Sequence, residues 1–207
     1  MSHHEITPEH FEQASWDERY GGEGRIWSGR PNAVLVAEAT DLTPGRALDV
    51  GCGEGGDAVW LANRGWEVVA LDFSSVALAR AAEHAGDASV DWRQADLRTW
   101  TPDGETWDLV TSHFLHLLDH GMVDVVRRLA DAVAPGGTLL VVGHHPDDEH
   151  TGLRWSLPGV MFTAEDLLPA LDPDRWEIRT EARTRVESHH DETHEVTDAV
   201  LVARRRG

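Results

Sequence analysis

Along this chain the spacing of apolar residues switches between short continuous runs and helical periods, with glycine, proline and small polar residues at the switches. Ala47–Val50, Glu67–Leu71, Ser89–Arg93, Trp107–His113 and Thr138–Val142 read as strands. Helical spacing between them predicts helices from about Gly56 to Asn63, from Ser74 as N-cap to about His84, and from about Met122 to Val133. In the second of these, Val76, Leu78, Ala79 and Ala82 are expected to face the sheet. Gly65 stands where a C-terminal cap belongs, and Pro135-Gly136-Gly137 stops the third helix and turns the chain into the fifth strand. Strands alternating with helices predict a parallel sheet covered on both faces. A polar stretch over 144–162 follows, with Trp155, Met161 and Phe162 near its end, then a helix from Thr163 or Ala164 to Ala170. Two alternating segments, Trp176–Val186 and Glu195–Ala203, suit an antiparallel hairpin.

Ahead of the sheet, residues 1–30 are polar with embedded aromatics: Phe11, Trp16, Tyr20 and Trp27. Thr7 and Pro8 make a helix start, with a cap followed by proline at the first helical position. Gly21, Gly22 and Gly24 break that helix, and a second runs from Ala33 to Ala39. The whole of 1–207 reads as one domain, with 1–40 a helical lid and 46–207 the core.

Composition narrows the function class. A net charge of −19 argues against a nucleic-acid substrate, which needs a basic stripe, and favours neutral or cationic small molecules. No run of 18 apolar residues occurs and no basic-then-apolar leader pattern opens the chain, so a soluble, cytoplasmic protein without a membrane partner is expected. The single Cys52 excludes an internal disulfide and sits in a glycine turn, where a packing role outweighs a nucleophilic one.

The chemistry concentrates where the first strand ends: Asp49-Val50-Gly51-Cys52-Gly53-Glu54-Gly55-Gly56. Glycines here let backbone approach a ligand, and the helix that follows points free N–H groups at the same place. Asp72 ends the second strand about twenty residues past the glycines, where an acid can take the hydroxyls of a ribose. Gly51, Gly53 and Gly56 also satisfy the dinucleotide pattern G-x-G-x-x-G, so an NAD-linked oxidoreductase is an alternative. Asp49 weighs against it, because a carboxylate at the strand end suits a ligand with a positive centre rather than a pyrophosphate.

The run Asp49, Gly51, Gly53, Gly55 resembles motif I of the class I S-adenosylmethionine (SAM) methyltransferases. Trp107–His113 resembles that family's fourth strand, and Pro135-Gly136-Gly137 its late turn. Trp27-Ser28-Gly29-Arg30-Pro31-Asn32 resembles the cofactor-covering segment of the small tellurite-resistance and thiopurine-type members. The resemblance implies a Rossmann-like doubly wound α/β sheet of seven strands in the order 3-2-1-4-5-7-6, with strand seven antiparallel. It also implies SAM as cofactor and a small-molecule acceptor methylated at O, N, S or a metalloid. Its implied cofactor contacts are Asp49, Gly51, Gly53, Asp72, Phe73, Asp96 and Leu97, the last two at the adenine, with Trp27, Arg30 and His113 added. A non-catalytic module that senses SAM or a metal on the same fold is the other alternative.

Ligands on such a sheet lie beyond the carboxyl ends of its strands, where His113, His116, His144 and His145 emerge. His113 and His144 are the candidates for contacting or deprotonating the acceptor, against a packing role for His113 and His116. The clusters His144, His145, Asp147, His150 and His189, His190, His194 match no spaced metal motif, and no metal is assigned. The aromatics of the lid would serve a homodimer contact as well as a substrate.

Overall fold

The computed structural model describes residues 7–151, 157, 159–189 and 192–207. Seven strands form one sheet: β1 (Arg46–Val50), β2 (Glu67–Asp72), β3 (Val90–Gln94), β4 (Trp107–His113), β5 (Val133–His144), β6 (Trp176–His189) and β7 (Glu192–Arg205). Their order is β3-β2-β1-β4-β5-β7-β6, with β7 antiparallel to both of its neighbours and the other pairings parallel. Among the described residues, five α-helices accompany it: α1 (Gln13–Gly21), α2 (Ala33–Ala39), α3 (Gly56–Asn63), α4 (Ser75–His84) and α5 (Met122–Ala132). Among the described residues, no helix is long and apolar enough to cross a membrane.

Strand alternation divides the core in two. Leu48, Val50, Val110, Leu139 and Val141 pack with α5 residues such as Val126 and Leu129 on one face. Ala47, Leu109, Leu140, Val142 and Val200 pack with Leu35 of α2 and with Ala58 and Leu61 of α3 on the other. Fully burying each such aliphatic side chain contributes about 1.5–3 kcal/mol. On this second face the same alternation turns polar towards the carboxyl ends of the strands. Asp49 lies beside Thr111, His113 beside Val142, and His144 beside Asp198 in the sheet register. A polar rim therefore grows out of an apolar face without any change of strand.

Several local expectations are corrected. The first helix begins as a 3₁₀ turn, Pro8–Phe11, and α1 starts only after extended Glu12. The buried face of α4 is Ala77, Leu78 and Ala81, while Ala79 and Ala82 are exposed. Alanines on every side of this helix leave its period ambiguous, and only Leu78 marks the true face. Pro135-Gly136-Gly137 is not a turn before β5 but an irregularity inside it: Trp107 pairs with Val133, and Leu109 with Thr138. Gly136 there has φ 81°, a left-handed conformation open to glycine, so the strand swells and continues. The expected helix before the hairpin is a 3₁₀ segment, Glu165–Ala170, carrying Pro169. Strands β6 and β7 extend beyond the expected 186 and 195, which takes His189 and His194 out of a loop. Trp155 and His190 lie outside the described residues.

Candidate active site

The turn after β1 is built by backbone first. Gly51 N–H and Cys52 N–H both reach the carbonyl of Leu71, at 2.8 and 3.0 Å, so the turn is tied to the end of β2. Gly53 has φ 52°, and a Cβ there would come 3.0 Å from the Tyr20 hydroxyl. Gly55, the N-cap of α3, has φ 80°, and its Cβ would meet the Trp92 ring at 2.6 Å. Close packing of α3 on the sheet therefore requires glycine at that position. Burial, with Asp49 and Asp72 beside it, pushes the Cys52 thiol up, so Cys52 stays protonated and is no nucleophile.

Four acids surround this turn. Asp72, 5% exposed, accepts Gly53 N–H at one oxygen and Ser74 N–H at the other, both at 2.9 Å. Burial holds its carboxyl above the usual range, opposed by those two bonds. Glu54, 2% exposed, accepts the N–H groups of Ile26 and Trp27 at 3.0 Å and lies 3.3 Å from Arg80. Arg80 in turn donates to the carbonyls of Gly22 and Gly24. Asp57, in the first turn of α3, accepts Asn32 N–H at 2.6 Å and lies 2.8 Å from His113 Nδ1. Asp49 accepts the Thr111 hydroxyl at 3.2 Å through Oδ1, whereas its buried Oδ2 has no hydrogen-bond partner. Burial, then the charge of Asp57, pushes the Asp49 carboxyl up to about 7.

The N-terminal segment closes over the turn. Trp27 Nε1–H donates to Tyr20 Oη at 3.2 Å, directly above Gly53, and the Trp27 ring is 49% exposed. Burial and the nearby Asp72 charge push the Tyr20 hydroxyl up, so it stays neutral. The Arg30 carbonyl lies 3.1 Å from where a Cβ on Gly56 would stand, which brings this segment onto the first residue of α3. Arg30 itself is exposed, its N–H bonded to Ser28 Oγ at 3.2 Å.

On the rim beyond β4 and β5, His113 is buried, with Nδ1 on Asp57 and Nε2 without a partner. Phe114 follows at φ 56° and its ring stacks on His144, centroids 4.6 Å apart. His144 also stacks on His116 at 4.9 Å. His116 Nδ1 lies 2.9 Å from the Val160 carbonyl and Nε2 accepts His144 N–H at 3.3 Å, so His116 has the packing role. Arg185 lies 5.6 Å above the Phe114 ring and donates to Asp198 at 2.8 Å.

Residues 47–137 match the family described as Methyltransferase domain. Thiocyanate methyltransferase 1 of Brassica oleracea is 30% identical over 172 residues, covering 79% of this chain and 75% of that protein. The chain belongs to the class I SAM-dependent methyltransferases. A trans-aconitate 2-methyltransferase of Streptomyces avermitilis is 36% identical over 136 residues. That match covers 60% of this chain and 50% of the relative, so the chain spans about half the length of this methyltransferase. The N-methyltransferase NodS of Bradyrhizobium japonicum, solved with S-adenosyl-L-homocysteine, superposes with a TM-score of 0.71 over 94% of this chain and 98% of its own. At 17% identity that likeness is one of fold.

Within this chain the expected site residues divide. Asp49, Gly51, Gly53, Asp72 and Trp27 converge on the glycine turn, and His113 joins them through Asp57. Phe73 follows Asp72, its carbonyl taken by Gln94 Nε2 at 2.9 Å. Asp96 pairs with Arg98, whose Nε lies 3.0 Å from both carboxylate oxygens. That hydrogen bond holds the Asp96 carboxyl below its usual range. Leu97 is buried, and a cavity of about 330 Å³ lined by Phe11, Arg98, Leu117 and Arg128 opens beside these two residues rather than at the glycines. Asp57, Glu54 and Tyr20 were not anticipated. The signal available for the first two was an acid inside or just after a glycine turn, which reads equally as a dipole-favoured helix start.

Among the described residues, the histidine-rich stretch after β5 forms no convergent group of metal-ligand atoms. His144 faces the rim, His145 pairs locally with Asp147 at 3.4 Å, and Asp148 accepts Thr197 N–H at 2.9 Å. Among the described residues, the ligand-type atoms that do converge belong to Asp49, Asp57 and His113, all within 4.8 Å of one another. Hydrogen bonds engage both Asp57 oxygens, Asp49 Oδ1 and His113 Nδ1, leaving Asp49 Oδ2 and His113 Nε2 without a hydrogen-bond partner.

Proposed function

We propose that this protein transfers the methyl group of SAM to a small-molecule acceptor. The observation that carries this reading is Asp49: a buried carboxylate beneath the glycine turn with one oxygen unpartnered. A buried anion without a partner is costly, and a cationic ligand arriving at the turn relieves that cost. A dinucleotide pyrophosphate would raise it. The residues fit SAM: Asp49 for the amino-acid ammonium, Gly51 and Gly53 for close backbone approach, and Asp72 for the ribose hydroxyls. Phe73, Asp96 and Leu97 border the adenine in this reading, with Asp96 turning away from Arg98 to meet the base. Trp27, Arg30 and the rest of 1–40 act as the lid over the core 46–207, and His113 stands between the cofactor and the acceptor. Bound SAM supplies an electrophilic methyl carbon on a sulfonium. The chain's own contribution is to place the acceptor atom in line at about 3–3.5 Å and to exclude water.

His113, Phe114 and His144 border the acceptor in this reading, where the polar rim meets an aromatic ring. The relatives' names, thiocyanate and trans-aconitate methyltransferase, support an acceptor of small-molecule size. The net charge of −19 speaks against nucleic acid, and the reading places the protein in the cytoplasm. Exposed Trp27 is the surface at which a homodimer contact would form. Calorimetric titration with SAM, S-adenosylhomocysteine and NAD, in buffer with a chelator, tests the proposal. Micromolar binding of the two adenosyl ligands and none of NAD supports it. NAD binding without SAM binding sinks it.

A further inference from the structure

We propose that Asp57 is a positioning residue that holds His113 with Nδ1–H on its carboxylate and Nε2 bare, so that His113 takes a proton from an acceptor carrying an O–H, N–H or S–H group. This deepens the methyl-transfer reading and rests on it for the reaction. The geometry is a carboxylate–imidazole pair at 2.8 Å with the imidazole 4% exposed. Its other nitrogen, Nε2, is buried and has no protein partner in the ligand-free chain. A histidine kept only for packing would have that nitrogen satisfied, as His116 does, because a buried unpaired polar atom costs about 1–3 kcal/mol. The position invites an apolar residue, since its register neighbour on β5 is Val142 and the face beneath is aliphatic. The backbone just beyond it is also strained: Phe114 is left-handed at φ 56°, a conformation that recurs at functional sites.

Asp57 is itself fixed from a second side. Its other oxygen accepts Asn32 N–H at 2.6 Å, and the Asn32 side chain caps α2 by accepting Val34 N–H at 2.8 Å. The pair is therefore anchored to α3, to β4 and to the N-terminal segment at once, and orientation of the imidazole depends on that segment being docked. The charged groups facing His113 are Asp57 from α3, Asp49 from β1 and Asp198 from β7, the last paired with Arg185 from β6. Burial lowers the His113 pKa, but the three carboxylates, Asp57 foremost, outweigh it and raise the balance above the ordinary value. A stronger base results.

The acceptor's proton passes to His113 Nε2, and the lone pair left on its O, N or S forms the new bond to the methyl carbon. The carbon–sulfur bond breaks with its electron pair remaining on sulfur, which loses its positive charge, and the imidazolium releases its proton to solvent after the product leaves. An acceptor already anionic at neutral pH needs none of this, so the inference selects protic acceptors.

The test is an NMR titration of the histidine rings in the ligand-free full chain, with the His113 signal assigned by its loss in H113Q. The expected result is a His113 midpoint above the usual histidine value, with the neutral ring in the Nδ1–H tautomer. In D57N the midpoint should fall by about 1–2 pH units. An Nε2–H tautomer in the wild type, which needs no variant to measure, or an unmoved midpoint in folded D57N, overturns the proposal. With SAM and a protic acceptor in hand, kcat should rise with pH through the His113 midpoint. D57N should lower kcat roughly 10–100-fold, shift that limb to lower pH and leave KM for SAM nearly constant. A rate that falls as His113 deprotonates would make it an anion binder and refute the base. Failure of SAM to bind, with the ring titration as expected, would instead refute the methyl-transfer reading and leave the pair standing.

Discussion

Asp49→Asn separates the two consequences of burying a carboxylate under a ligand site. The Asp49 carboxyl is pushed up to about 7 from an ordinary 3.8, so the folded chain holds this proton more tightly than the unfolded chain does. Stability therefore falls as pH rises from about 4 to about 7, and above that the penalty is complete. The full shift corresponds to a ceiling of about 4 kcal/mol. Asn keeps the acceptor for the Thr111 hydroxyl and can turn its amide towards Asp57, so we expect it to recover about half, about 2 kcal/mol at pH 8. For a chain of this size that is a rise in Tm of about 4–8 °C. The gain should shrink as the pH of the melt is lowered towards 4.5. Calorimetry on the same variant should show SAM binding weakened roughly 10–150-fold, the loss of a charge-assisted hydrogen bond of about 1.5–3 kcal/mol. A variant equally stabilised at pH 8 and pH 4.5, or one that binds SAM as the wild type does, refutes the reasoning.

Glu54→Ala should release residues 22–28, because two N–H groups and Arg80 lose a buried partner; urea unfolding should report a loss of about 2–4 kcal/mol and proteolysis near Trp27 should quicken. An unchanged proteolysis rate would show that Tyr20 and Arg80 hold the segment without it. Asp72→Ala should weaken SAM tenfold or more and also lower Tm, since the carboxylate ties Gly53 and Ser74 and, in the proposed reading, takes the ribose hydroxyls. Calorimetric affinity equal to that of the wild type in a folded protein would contradict this. His144→Ala should spare SAM affinity while lowering turnover, and a loss of SAM binding would move His144 from the acceptor side to the cofactor side.

The sheet was legible because β1, β2 and β4 are short, largely apolar runs and β6 and β7 alternate, and its order followed from the family resemblance. The α4 face was not legible, because alanine fits either side of a helix and sequence periodicity then has no amplitude to read. The swelling inside β5 was hidden by its own composition: Pro135-Gly136-Gly137 has the residues of a terminating turn, and only the pairing of β4 across it keeps the strand going. In the candidate site, Asp49 and Asp72 could be singled out because they sit at fixed offsets from glycines. Asp57 and Glu54 were not, because their partners, His113, Asn32, Ile26 and Trp27, lie 25 to 56 residues away in sequence. Asp96 is assigned to the adenine by resemblance alone; its pairing with Arg98, two residues on, is a local contact that the sequence reading did not include.

Four carboxylates around one turn should repel one another, and the geometry explains why the turn tolerates them. Each oxygen of Asp72 has a backbone N–H, Glu54 has two N–H groups and a guanidinium, and Asp57 has an N–H and an imidazole. These three are spent on structure: the turn itself, the segment above it and the rim beside it. Asp49 alone among the four keeps a bare oxygen, and it sits on the strand face whose alternation leads from aliphatic residues to Thr111, His113 and His144. The negative field of the turn thus has one unfilled focus, buried at the end of β1, with the His113 ring on the adjacent strand β4. A cationic group bound there would neutralise Asp49, remove one of the charges that raise the His113 pKa, and so tune the base at the moment the ligand arrives. His113 should therefore titrate lower with SAM bound than without it, and a midpoint that rises on SAM binding would place the positive charge somewhere other than Asp49.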